Sequence, residues 1–202
     1  SGNTLPNPYG GSSQPAYPWR GRITCHPAPD EPGTVDKTAA AATQVGNFFG
    51  TVNAGHFSWN AGEQRVNYSG SSNEWSMRRF ILHMATIADA AGADDFLIGS
   101  ELVGLTRIRS DASTFPAVDH LISLLGQVRA KMGPTPKISY AADWSEYHSY
   151  RPNDGSNDIL FPLDPLWANA NINYVGIDNY LPMGDWRDGD HLDRNAGYIS
   201  PY

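Results

Sequence analysis

Three short runs, Phe96–Ser100, Lys137–Ala142 and Ile172–Ile177, constrain the fold most. Each is apolar enough to be a strand, and helix-length segments separate them. Strands spaced by helices pair in parallel through right-handed crossovers, which gives an α/β sheet or barrel. Each run is followed at once by a carboxylate: Glu101, Asp143 and Asp178. Burying a charge in a core is costly unless it is paired. In a parallel sheet the three strand ends share one face, where such folds build their sites. The expected position of Glu101 is therefore the rim of a cleft, opposite the other two acids. An acid after a strand also caps the next helix in many folds, so the constellation carries the argument rather than any one member.

The intervening elements read from their patterns. "EWSMRRFILHMATIADAAG" predicts a helix with the stripe Met77, Phe80, Ile81, Met84, Ile87, Ala88 and Ala91, ended by Gly92. Pro116 to Met132 predicts a second, with Val118, Leu121, Ile122, Leu125, Val128 and Met132 inward and Gly133 as the stop. Asp36 is placed to cap a helix through "KTAAAATQVGNFF". "LDPLWANA" predicts a helical turn. Residues 1–35, 51–73, 103–114 and 181–202 predict loop, with a short extended piece at Arg22–Cys25 and with Phe57 and Trp59 as anchors. The chain is thus read as one α/β domain over residues 1–202, with 1–35 mostly loop and βα units from 36 onward.

Bulk properties narrow the chemistry. Lys and Arg total 14 against 21 Asp and Glu, for a formal charge of −7, and no basic stripe suggests nucleic acid. Cys25 is the only cysteine, which excludes an internal disulfide and a Cys-based zinc site. No metal or cofactor is expected: "DWRDGDHLD" has oxygens for calcium but not EF-hand spacing, and there is no phosphate loop or G-x-S-x-G elbow. No apolar run reaches membrane-spanning length, so no insertion is expected. No signal peptide is visible, and a first residue of Ser is expected of a piece of a longer chain, although processing gives the same result.

Carboxylates flanked by Trp and Tyr are the equipment of glycoside hydrolysis. One acid protonates the leaving oxygen, and the other attacks the sugar or activates water. Glu101 has the most apolar local sequence and is the expected acid; Asp143 and Asp178 are the other catalytic candidates. Trp144, Glu146, Tyr147, Asn179, Tyr180, Asp185 and Trp186 are the candidate sugar-binding residues, since flat rings stack on sugar faces. Each ring could equally be a packing aromatic.

The stretches "PAYPWRGRITC", "DKTAAAATQV", "FLIGSELVGLT", "KISYAADWSEY", "LDPLWAN" and "YVGIDNYLPMGDWRDGDHLD" closely resemble the TIM-barrel-like, glycoside-hydrolase-like domain of gene transfer agents and related tailed phages. The resemblance runs from about Asn3 to the end. It implies a (β/α) barrel inside a large tail-tip (baseplate hub, host-specificity) protein, with host cell-surface polysaccharide or peptidoglycan and other tail-tip proteins as partners. A full barrel has eight strands in about 250 residues. Three strands here imply an incomplete barrel, its middle βα units only. By the same resemblance Glu101 falls after the fourth strand, the acid/base position of barrel glycosidases, and the nucleophile after the seventh lies outside this sequence. Asp143, Glu146 or Asp178 would serve only if this family uses another pair. Three functions remain open: hydrolase, non-catalytic glycan binder, and structural barrel.

Overall fold

The computed structural model describes residues 5–16, 19–180 and 189–197. Three parallel strands, β3 (Asp95–Ser100), β4 (Lys137–Asp143) and β5 (Gly176–Asp178), lie side by side in chain order. No closed barrel is present among the described residues; the sheet is part of one. Before it come α1 (Ala39–Phe49), a hairpin of β1 (Phe57–Asn60) and β2 (Arg65–Tyr68), and α2 (Met77–Ala90). The short α3 (Val103–Thr106) and long α4 (Pro116–Met132) join β3 to β4. After β4 come α5 (Asp164–Trp167) and, past β5, the short turn α6 (Leu192–Asn195).

Helix α4 is the hub. Its Leu121, Leu124, Leu125 and Val128 are fully buried, in one cluster with Val45 and Phe49 of α1, Leu82 and Ala85 of α2, and Ile138 and Tyr140 of β4. Pro116 opens the helix, where a missing N–H costs nothing, and Gly133 at φ 75° closes it. Strand β4 is buried from Ile138 to Asp143, as expected of a central parallel strand covered on both faces.

Several sequence expectations need correction. Asp36 caps no helix: Thr38 stands at the N-cap of α1, and Asp36 instead accepts from the Arg109 backbone N–H (2.7 Å) and guanidinium (2.8 and 3.1 Å). A buried guanidinium needs that carboxylate more than an exposed helix start does. Residues 51–73 are not irregular, since they form the β1–β2 hairpin. Arg22, expected to open an extended piece through Cys25, instead closes a 3-10 turn over 20–22, and Ile23 after it is extended; 103–106 are helical, and 192–195 form a helical turn. The α2 stripe is rotated. Ile81, Leu82, Ala85 and Thr86 face the core, while Phe80, Met84 and Ile87 are exposed, because two apolar stripes compete and α4 takes the one with the small residues. Finally, the third strand is shorter than 172–177. Asn173 replaces ladder bonds with its side chain, accepting from Ile138 N–H (2.8 Å), and the Ser139 hydroxyl bonds the Tyr174 carbonyl.

Candidate functional site

Strand β3 delivers Glu101 through a sharp turn. A bulge interrupts its ladder with β4 between Leu97 and Ser100. Glu101 N–H then donates to the Ala141 carbonyl (2.8 Å), and Leu102 N–H donates to the Tyr140 hydroxyl (2.8 Å). Between these two anchors Glu101 has φ 51°, left-handed backbone that a non-glycine residue adopts at a cost of about 1–3 kcal/mol. Helix α3 starts two residues later. Gly99 admits the Tyr140 ring, since a Cβ there would lie 3.1 Å from Tyr140 Cε2.

The carboxylate of Glu101 is 4% exposed. Its Oε2 accepts from Trp19 Nε1 and pairs with Arg20 Nη2, both at 2.8 Å. Its Oε1 is buried and meets no donor at hydrogen-bonding geometry among the described residues. The Tyr180 hydroxyl is nevertheless close enough to interact with this carboxylate. Its pKa is raised by hydrogen bonding with Glu101, then by the charges of Glu101 and Asp178. Arg20 also donates to Ser100 through Nε to the carbonyl (2.9 Å) and Nη2 to Oγ (3.0 Å). Ser100 Oγ in turn donates to Asp178 Oδ2 (2.8 Å). Glu101 and Asp178 are thus joined through Arg20 and Ser100, on the shared face.

The end of β4 differs. Asp143 Oδ1 accepts from Ser145 N–H (2.9 Å) and Oγ (2.6 Å), which closes a local turn. Glu146 faces inward. It accepts from Thr106 Oγ1 (2.7 Å), the Tyr140 hydroxyl (2.8 Å) and Asp143 N–H (3.0 Å). Burial pushes its pKa up, against the pull of Thr106, Tyr140 and Asp143. Burial and the adjacent Glu146 charge also push Tyr140 well up. Trp144 (43% exposed), Tyr147 (39%) and Tyr180 (68%) present part of their rings to solvent, and Asn179 is exposed. Asp185 and Trp186 lie outside the described residues.

Of the expected site residues, the structure therefore links Glu101, Asp178 and Tyr180, and it turns Glu146 into the core. Sequence reasoning did not single out Trp19, Arg20 and Ser100. The signal was available in "YPWRGR", a Trp–Arg pair in a loop-rich segment, where binding residues concentrate. Among the described residues no group of three or more His, Cys, Asp or Glu is placed to hold a metal ion, and no helix is long and apolar enough to cross a membrane.

The model of the GTA (gene transfer agent) TIM-barrel-like domain matches residues 75–202, from the start of α2 through all three parallel strands. The chain belongs to the gene transfer agent TIM-barrel-like domain family. No curated protein and no solved structure matches it. The family accounts for the parallel β3–β4–β5 order and places the chain among gene transfer agent proteins. Trp19 and Arg20, which hold Glu101, lie outside the matched segment.

Proposed function

We propose that the C-terminal rim of β3–β5 binds a glycan of the host cell surface, polysaccharide or peptidoglycan, as part of a tail-tip protein. The observation that carries this reading is Glu101. It is a carboxylate with one oxygen that no described residue meets at hydrogen-bonding geometry, held in left-handed backbone at the end of a parallel strand. Strain of this kind persists only where surrounding structure enforces it, and it concentrates at ligand sites. A strand-to-helix turn with a strained apex is also how α/β-hydrolases project their nucleophile. Glu101 and Asp178 offer acceptors for sugar hydroxyls, and Trp19, Trp144, Tyr147 and Tyr180 offer partly open rings for sugar faces.

Hydrolysis is the second reading, favoured by the bridged Glu101–Asp178 pair. In that reading substrate would compete with Arg20, whose side chain is half exposed, for the Glu101 carboxylate. Barrel position alone does not decide between binding and catalysis.

A glycan array combined with a hydrolysis screen tests both readings, in the full-length protein that carries the barrel. The hydrolase reading expects Glu101→Gln to lower turnover by about 10²–10⁴-fold with binding nearly intact. The binding reading expects no turnover in either protein and a reduced affinity. A purely structural barrel gives neither turnover nor affinity, and that result would overturn the proposal.

A further inference from the structure

Beyond the bulge that interrupts β3 between Leu97 and Ser100, two bonds fasten the Glu101 turn to β4. One runs from Glu101 N–H to the Ala141 carbonyl, main chain to main chain. The other runs from Leu102 N–H to the hydroxyl of Tyr140. The two acceptors are neighbours in β4, so the turn takes its register from β4 and not from the interrupted end of its own strand. Only the second bond depends on a side chain, and so only that one can be removed by substitution.

Tyr140 is fully buried in the apolar core, with the Trp167 ring centroid 6.2 Å from its own. A phenylalanine would fill the same space, and a buried hydroxyl costs desolvation unless it is hydrogen-bonded. What the hydroxyl adds is its two partners: it accepts from Leu102 N–H and donates to Glu146 Oε1, each at 2.8 Å. A phenol has one proton, an amide N–H can only donate, and a carboxylate can only accept. The proton therefore points at Glu146, and a lone pair is left for Leu102. Burial, then the Glu146 charge, push the Tyr140 pKa well up, which keeps that proton on the oxygen. Glu146 is itself fixed by Thr106 Oγ1 (2.7 Å) and Asp143 N–H (3.0 Å). Glu146, Tyr140, Leu102 and Glu101 thus form a chain of single polarity that runs from the core to the rim.

We propose that Tyr140 is the positioning residue of the rim site: its hydroxyl, aimed by Glu146, holds the Leu102 amide and so sets where the Glu101 carboxylate meets Trp19, Arg20 and a glycan hydroxyl. The proposal rests on the glycan-binding reading of the rim. Tyr140 itself touches no ligand. Left-handed backbone at a non-glycine residue persists only while its surroundings enforce it. Without the Tyr140 hydroxyl, the amide after Glu101 is unanchored and the apex relaxes toward φ below zero. That relaxation turns the Glu101 side chain away from Trp19 and Arg20, which it meets at 2.8 Å. The 3-10 turn Arg20–Arg22 then loses its tether to the end of β3.

Hydrogen exchange read by mass spectrometry, together with the glycan array, tests this on the full-length protein as wild type, Tyr140→Phe and Thr106→Val. Thr106→Val removes a donor from the same Glu146 oxygen but leaves the bond between Tyr140 and Leu102 in place. Both variants lose stability in urea, so stability alone does not separate them. Tyr140→Phe is expected to speed exchange at residues 101–102 and at the Arg22 and Ile23 amides that close the 3-10 turn, and to weaken glycan binding about tenfold. Thr106→Val is expected to leave that exchange and the binding as in wild type. Equal effects in the two variants would reduce Tyr140 to general packing and overturn the proposal. Unchanged exchange at Arg22 and Ile23, or unchanged binding, in Tyr140→Phe would also overturn it while the rim reading stands. Absence of glycan binding by wild type would overturn the rim reading instead, and the exchange rates would then decide alone whether Tyr140 places Glu101.

Discussion

Two glutamates stand just beyond neighbouring strands, and both are 4% exposed. Glu146, after β4, fills both carboxylate oxygens with three donors from the protein itself. Glu101, after β3, fills one oxygen with Trp19 and Arg20, and among the described residues the other has only the nearby Tyr180 hydroxyl, outside hydrogen-bonding geometry. Burial alone does not separate them; completeness of hydrogen bonding does. A saturated carboxylate is a tie between elements, here α3, β4 and the turn after it. A half-saturated one on a strained apex costs stability, and under the proposed reading a glycan hydroxyl would complete it.

The contrast can be calibrated against a third buried carboxylate, Asp36, whose Arg109 partner is equally buried. Asp36→Ala orphans the Arg109 backbone N–H and Nε and leaves its buried guanidinium with Asp154 alone (3.0 Å), and should cost about 3–5 kcal/mol in urea unfolding. Glu146→Leu should follow at about 2–4 kcal/mol, because it orphans the Thr106 and Tyr140 hydroxyls and the Asp143 N–H. A loss under about 1 kcal/mol would erase the distinction between the two glutamates.

Acidity gives a subtler probe. Burial raises the Glu146 pKa above the ordinary glutamate value of 4.5. Between the unfolded and folded values, the folded protein holds more protons than the unfolded chain. Stability therefore falls as pH rises through that window, by at most about 1.4 kcal/mol per unit. Below 4.5 the group is protonated in both states and contributes no slope. Glu146→Gln should flatten the stability profile just above pH 4.5. The smallest effect belongs to Glu101→Gln itself, which should alter stability by less than about 1 kcal/mol, since its Arg20 partner is half exposed. A larger loss would move Glu101 into the same class as Glu146.

The parallel strands were legible as short apolar runs that end at an acid, and α4 because its helical period is strong and Gly133 stops it. The hairpin was not. Its strands are four residues long, and the connecting Ala61–Gln64 lacks an Asn-Gly pair, Asn60 supplying the turn bonds through its side chain to the N–H groups of Gly62 and Glu63. The α2 face misled because Phe80, Met84 and Ile87 form as good a stripe as Ile81 with Ala85, and only the partner helix decides between them. At the site, Glu101 and Asp178 followed from the placement rule for strand ends. Trp19 and Arg20 did not, because contacts across about eighty positions of sequence leave no local trace.

The left-handed turn at Glu101 also bears on how this position can drift over generations. Its backbone demand is independent of what the side chain does, because Ala141 and Tyr140 hold the amides on either side. If the proposed glycan contact were lost in a lineage, selection on the carboxylate would lapse while selection on the turn continued. The replacements that survive would then be Gly, Asn or Asp, which tolerate positive φ, and not Leu or Val. Residue 101 would therefore record that loss: an acid while the function is retained, and a glycine or asparagine once it is gone.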